Sequence, residues 1–309
     1  MVFLTRALRT RTAAAEDPYV CFMRQDYRPH PYGREVCFVR CVGVKGSDEE
    51  YIEMVKNLDE TLKGAVCGYL RLGGFRPLSE ETAITRNIVR YEAYCRIDPA
   101  DANGLFSFAF PFHFACDTLE WTQKRAFGEV MKCFDKEYTS ATETMRRNFA
   151  VKLFGWMGEY LPQLYREKEH DVRFPKVVYL GAAKRHESLF LLFLSLMGCD
   201  ILYLNPQGDL EGQTVHRRSA LHVLGPFRRL GTPVPSTEEL LQMQGRREVG
   251  GRPAGKPPAA ASHGGGGAAV SAPKVPPVRR PSGSAASPGR ELSYEELAEL
   301  SASVVMIRV

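Results

Sequence analysis

Two short loops hold the residues best suited to chemistry in this sequence. GAAKRHE, residues 181–187, brings together Gly181, Lys184, Arg185, His186 and Glu187, and NPQGD, residues 205–209, carries Asn205 and Asp209. A glycine between a strand and a helix start presents backbone N–H groups at the positive end of the helix dipole. Lys184 and Arg185 add formal positive charge, so the first loop suits an anionic small molecule such as a nucleotide or sugar nucleotide. His186 beside Glu187 is a candidate general acid or base. Asn205 and Asp209 suit a sugar hydroxyl or a metal ion. Each group also has a plainer reading: a polar helix start on a solvated sheet edge, a surface histidine, and an ordinary turn built from Asn, Pro, Gly and Asp. The sequence names no catalytic residue, no metal site and no cofactor.

Several chemistries lack their signature. GAAKRHE has one glycine and is neither a dinucleotide fingerprint nor a P-loop. His186-Glu187 has no HExxH partner, and no serine sits in a GxSxG elbow. RNIVRYEAYCR (86–96) reads as a solvated helix face, with a substrate-phosphate role for Arg86 and Arg90 as the alternative. FSFAFPFHF (106–114) reads as core, its alternating phenylalanines turned inward; a stacking platform for a base is the alternative. Cys37 and Cys41 share one strand face and read as packed thiols rather than zinc ligands.

The elements that would position the two loops are legible. Val177–Leu180 is an apolar run of β-formers ended by Gly181, Arg185 to Met197 is helical with Gly198 as its C-cap glycine, and Cys199–Leu204 is a second strand stopped by Asn205-Pro206. Strand, helix and parallel strand in about 30 residues make a right-handed βαβ unit, and such sheets bind ligands beyond the carboxyl ends of their strands. Both loops therefore face one cleft. The pattern further predicts strands at Tyr19–Met23, Glu35–Val44 and Val66–Leu72. It predicts a helix from Ser47, capped by Ser47 with Glu50, to about Leu62. Further helices are expected over Ser79–Arg96 (with Ile84, Ile88, Val89 and Tyr91 or Tyr94 inward), Trp121–Tyr138, Thr142–Arg166, Val215–Leu230 (broken by Gly225-Pro226) and Ser236–Gln244.

Composition sets the domain plan. The 309 residues are 44% apolar, enough for a substantial core, and carry a net charge of +5. Residues 245–290 hold eight Lys/Arg against Glu248 alone, a local +7, which leaves about −2 for the rest. That tract is rich in Pro, Gly and Ala and reads as a disordered, solvated linker. The plan is a disordered N-terminus (1–17), an α/β domain (18–244), the linker (245–290) and a short helix–strand element (291–309). No nucleic-acid partner is expected. The longest apolar run, Leu189–Leu194, is too short to span a bilayer, so no membrane partner is expected either. With no signal-like h-region and eight cysteines lacking any CxxC spacing, a cytoplasmic, reduced protein is the expectation.

The stretch FPKVVYLGAAKRHESLFLLFLSLMGCDILYLNP (174–206) resembles the Bacillus-type YceG-like family, as do CFVRCVGVKGSDEEYIEMV (37–55) and YEELAELSASVVMI (294–307). That family is described as a component of a biosynthetic module and is linked to tellurium-resistance and stress operons. The resemblance implies a bacterial, cytosolic, stress-linked protein with stress-operon proteins as partners. It attaches no reaction and leaves open whether the chain is an enzyme. Family members continue past the SVVMI segment, so it also implies a short or truncated member. The fold expected is α/β, with a Rossmann-like, mostly parallel sheet flanked by helices. Two functions stand side by side: a nucleotide-binding component of a biosynthetic module, and a non-catalytic stress-response protein acting through protein partners.

Overall fold

The computed structural model describes residues 7–13, 17–24, 33–63, 68–98, 101–165, 175–236 and 239. All of them lie in the first of two units, Met1–Pro253. The linker 245–290 and the terminal element 291–309 lie outside the described residues.

A five-stranded sheet organises the chain. Its strands are β3 (Phe38–Val42), β4 (Tyr69–Leu72), β5 (Lys176–Leu180), β6 (Asp200–Asn205) and β7 (Ala220–Val223), in the order β4-β5-β6-β3-β7 with every pairing parallel. This is the mostly parallel, helix-flanked α/β sheet expected from the apolar runs. Arg9–Thr12 forms β1, paired in parallel with β2 (Gly33–Val36) as a separate ribbon. That differs from the unstructured terminus expected over residues 1–17.

Period-two alternation gives the central strands β3, β5 and β6 two buried faces. Val177, Tyr179, Ile201 and Tyr203 face a large core closed by α3 (Glu81–Cys95), α5 (Asp117–Glu137), α6 (Glu143–Tyr165) and α7 (Arg185–Leu196). Val178, Leu202 and Leu204 face a smaller one beneath α1 (Pro18–Met23) and α2 (Asp48–Lys63). From Ser188 to Ser195 every side chain of α7 is buried, as expected of a segment apolar on all sides. Cys21, Cys37 and Cys41 are free thiols inside the smaller core.

The connection leaving β3 runs through α2 on one face. The connection leaving β6 runs through Leu210 and α8 (Gln213–His216), whose Val215 joins the large core on the other face. The carboxyl ends of β3 and β6 are thus the topological switch point, where open α/β sheets form a crevice.

Local signals were correct where the element was long or its cap explicit. Ser47 and Glu50 form the expected capping box: the Ser47 hydroxyl accepts the Glu50 N–H at 3.2 Å and the Glu50 carboxylate accepts the Ser47 N–H at 2.9 Å. Five further expectations are corrected. Tyr19–Met23 is not a strand but helix α1, started by Asp17 accepting the Tyr19 and Val20 N–H groups and by Pro18 at its first turn. The single strand Glu35–Val44 divides at Cys37, whose N–H leaves the ladder and donates to Asp200 at 2.9 Å. Val215–Leu230 is not one helix: α8 ends at His216, and Ala220–Val223 takes the free edge of β3 instead. Val89 points to solvent, with Asn87 and Tyr91 inward. In the phenylalanine run, Phe110 and Phe114 are buried, but α4 (Ala102–Ser107) turns the start of the segment outward, and Phe106 stacks on Trp121 at 5.3 Å.

Candidate functional site at the carboxyl ends of the strands

The two loops adjoin. The Gly181 N–H donates to Leu204 O at 2.8 Å, and the Tyr203 hydroxyl accepts from the Asn205 amide at 2.9 Å and from the Ala183 N–H. Tyr203 therefore bridges the ends of β5 and β6, with its pKa pushed up to about 12 by burial. Asn205 is itself buried, and its side-chain oxygen accepts the Gln207 N–H at 3.1 Å in an Asx turn. Gly181 has φ +107°, and a side chain built there meets nothing within 4 Å, so the loop is open above it.

Glu187 fills the positive end of α7. Its carboxylate accepts the Lys184 N–H at 2.7 Å and the Phe75 N–H at 3.3 Å, and the Tyr179 hydroxyl donates to it. One half of a capping box is present; the other half would need Lys184 to accept, which an ammonium cannot do. Glu187 thus acts as a resident anion that ties the ends of β4 and β5 to the helix. Lys184 and Arg185 remain exposed. Arg185 pairs with Glu211 at 3.0 Å and lies 6.0 Å from the Tyr138 ring.

His186 turns away from the cationic pair. Its ring sits among Phe134, Tyr138 and Phe149, with centroids 5.0–5.8 Å away. Burial first, and then the neighbouring Lys152 charge, lower its pKa to about 4. It is neutral at physiological pH and packed as an aromatic body. Asp209 is drawn to the sheet interior: the buried Arg40 donates to it, and His216 Nε2 lies 3.8 Å away. Among the described residues no group of three His, Cys, Asp or Glu side chains could hold a metal ion.

The switch-point crevice is occupied by the chain itself. Leu224–Pro235 crosses it: the Val44 N–H donates to Pro226 O at 3.1 Å, the Arg228 N–H to Pro206 O at 3.0 Å, and the Gly231 N–H to Asp48 at 2.5 Å. Arg228 clamps Asp48 and also reaches Gly46 O at 3.0 Å. The backbones approach so closely at Gly43 and Gly225 that a Cβ on Gly43 would fall 2.1 Å from Gly225 O. Sequence reasoning missed this strap, along with Arg40, Tyr203 and Glu211. The one local hint was Arg40, a charge inside the apolar run FVRCV. Elsewhere, a depression of about 530 Å³ lined by Tyr19, Met23, Met54 and Leu58 lies between α1 and α2 and includes none of the expected site residues. Among the described residues no helix is long and apolar enough to cross a membrane.

Comparison with known proteins adds one finding. The family model of the YceG domain matches residues 21–224, more than half of the chain. No curated protein and no solved structure matches.

Proposed function

This chain belongs to the YceG domain family, and from that premise we propose that it is a component of a bacterial, stress-linked biosynthetic module of the tellurium-resistance-associated kind. In that role it binds an anionic small molecule, a nucleotide or sugar nucleotide, in the cytoplasm, alongside proteins of the same stress operons. The binding edge is the carboxyl end of β5 and β6. Lys184 and Arg185 supply the charge, the Gly181 turn gives backbone access, and Asn205 and Asp209 shape the adjoining loop. Glu187 holds the turn in place from beneath, and His186 anchors it through its aromatic packing. The observation that carries this reading is the exposed Lys184–Arg185 pair above an open Gly181 turn, hydrogen-bonded to the end of β6.

The test is thermal-shift titration of the full chain with nucleoside di- and triphosphates, sugar nucleotides and inorganic phosphate. A stabilisation by one of these that is lost in Lys184→Ala and in Arg185→Ala supports the site. Stabilisation that survives both substitutions, or no stabilisation by any of the anions, overturns it.

A further inference from the structure

One edge of the five-stranded sheet is open among the described residues. β7 ends the order β4-β5-β6-β3-β7, so only one of its sides is paired among the described residues. The Leu224 N–H donates to Val42 O at 2.8 Å. Parallel ladders alternate, so Ala220 and His222 also face β3, while Leu221 and Val223 turn their N–H and C=O groups to the open side. These same two residues are 51% and 59% exposed, and Phe227 just beyond them is 57% exposed. Edge strands are normally blunted by a lysine, a proline or a covering element. β7, with sequence ALHV, carries neither residue.

Charge states what the occupant must be. Residues 212–235, GQTVHRRSALHVLGPFRRLGTPVP, contain four arginines and two histidines and no Asp or Glu. Arg217 precedes β7 and Arg229 follows it, both exposed. A second copy is disfavoured, because pairing two β7 edges would bring the arginines of both copies together. We propose that the β7 edge is a docking site for an extended peptide segment with alternating apolar residues flanked by carboxylates. Its backbone pairs with Leu221 and Val223, its apolar side chains cover theirs, and its acidic ends meet Arg217 and Arg229. This surface is independent of the anion site at the ends of β5 and β6.

The experiment measures fluorescence anisotropy of a labelled DEVTVTVED peptide with the full chain, alongside KKVTVTVKK and the proline-broken DEVTPTVED. The acidic peptide should bind, and the other two should bind roughly tenfold more weakly or not at all. Val223→Pro removes an outward N–H while sparing the β3 ladder, and it should weaken binding by a similar factor. Arg217→Glu with Arg229→Glu, which lies outside the strand, should do the same if the proline variant fails to fold. Lys184→Ala, in the separate anion site, should leave peptide binding unchanged. Equal binding of the lysine peptide, or binding indifferent to both the proline and the charge-reversal variants, overturns the proposal. So does a concentration-dependent dimer abolished by Val223→Pro, or an oligothymidine that binds as tightly as the peptide and is insensitive to Val223→Pro.

Discussion

The two ends of the central sheet treat charge in opposite ways. At the amino ends of β5 and β6, Lys176 and Asp200 meet at 2.9 Å and Arg34 reaches the same carboxylate at 3.3 Å, with side chains 1%, 0% and 4% exposed. At the carboxyl ends, Arg185 and Glu211 also meet at 3.0 Å, yet both stand in solvent. The distances are alike and the consequences are not. A sealed carboxylate cannot exchange its partners for water; burial pushes Asp200 toward protonation, and the Cys37 N–H that donates to it opposes that shift. An exposed pair gives up its partner at little cost. The amino end is therefore architecture, and the carboxyl end is where the proposed anion would compete.

The sharpest way to break this contrast is to remove Asp200. Asp200→Ala would remove the buried carboxylate that faces Lys176 and Arg34 and accepts the Cys37 N–H, so urea unfolding should report a loss of about 3–5 kcal/mol. A loss below about 1 kcal/mol would mean that the buried cluster is no more structural than a surface pair.

This contrast was only half legible in the sequence. Gly181 and Asn205-Pro206 mark the carboxyl ends because turn chemistry is local, and the βαβ unit followed from apolar runs of the right length. The amino-end cluster joins Arg34, Lys176 and Asp200, which are distant in sequence; the trace they leave is a charge at the start of two apolar strands. Glu187 looked like a ligand-binding residue because its partner Phe75 lies 112 positions away. His186 looked free because the rings around it come from α5, α6 and the turn between them. Helix α1 is six residues long, too short to show a period, although Asp17 and Pro18 were present as start signals. β7 was misread because its strand character comes from the β3 edge, not from its own sequence.

Glycines sharpen the comparison within the carboxyl end itself. Gly43 and Gly181 both have positive φ, +79° and +107°. Beneath the strap, Gly43→Ala adds overpacking of about 1–3 kcal/mol to a conformational cost of about 1 kcal/mol. Gly181→Ala carries the conformational cost alone, because its surroundings are open. Denaturant midpoints should therefore rank Gly43→Ala well below Gly181→Ala. Equal losses would mean that the strap does not hold the switch point closed.

His186 is intermediate, half sealed among rings at the otherwise open end. Its folded-state pKa, about 4, lies below the ordinary 6.5. The unfolded chain therefore takes up a proton first, and stability falls as pH drops from about 6.5 toward 4. Lys152 adds to the depression and Glu187 opposes it. His186→Gln should flatten that part of the melting-temperature profile relative to the parent chain. An unchanged slope would assign the acid sensitivity to other groups.

The smallest expected effect on stability separates the two ends most cleanly. Arg185→Ala and Glu211→Ala each remove one partner of an exposed pair, so each should cost under about 1 kcal/mol, and the difference should fade at about 1 M salt. Their effects on anion binding should have opposite signs. Arg185→Ala removes a cation of the proposed anion site. Glu211→Ala removes the carboxylate that now competes for that cation, so the anion found in the thermal-shift screen should bind several-fold more tightly. Titration of both variants at low salt reads this directly. If both weaken binding, Glu211 contacts the ligand itself and the site extends beyond the 205–209 loop. If either variant loses more than about 2 kcal/mol, the pair is a structural one like Lys176–Asp200, and the two ends of the sheet do not differ in the way their exposure indicates.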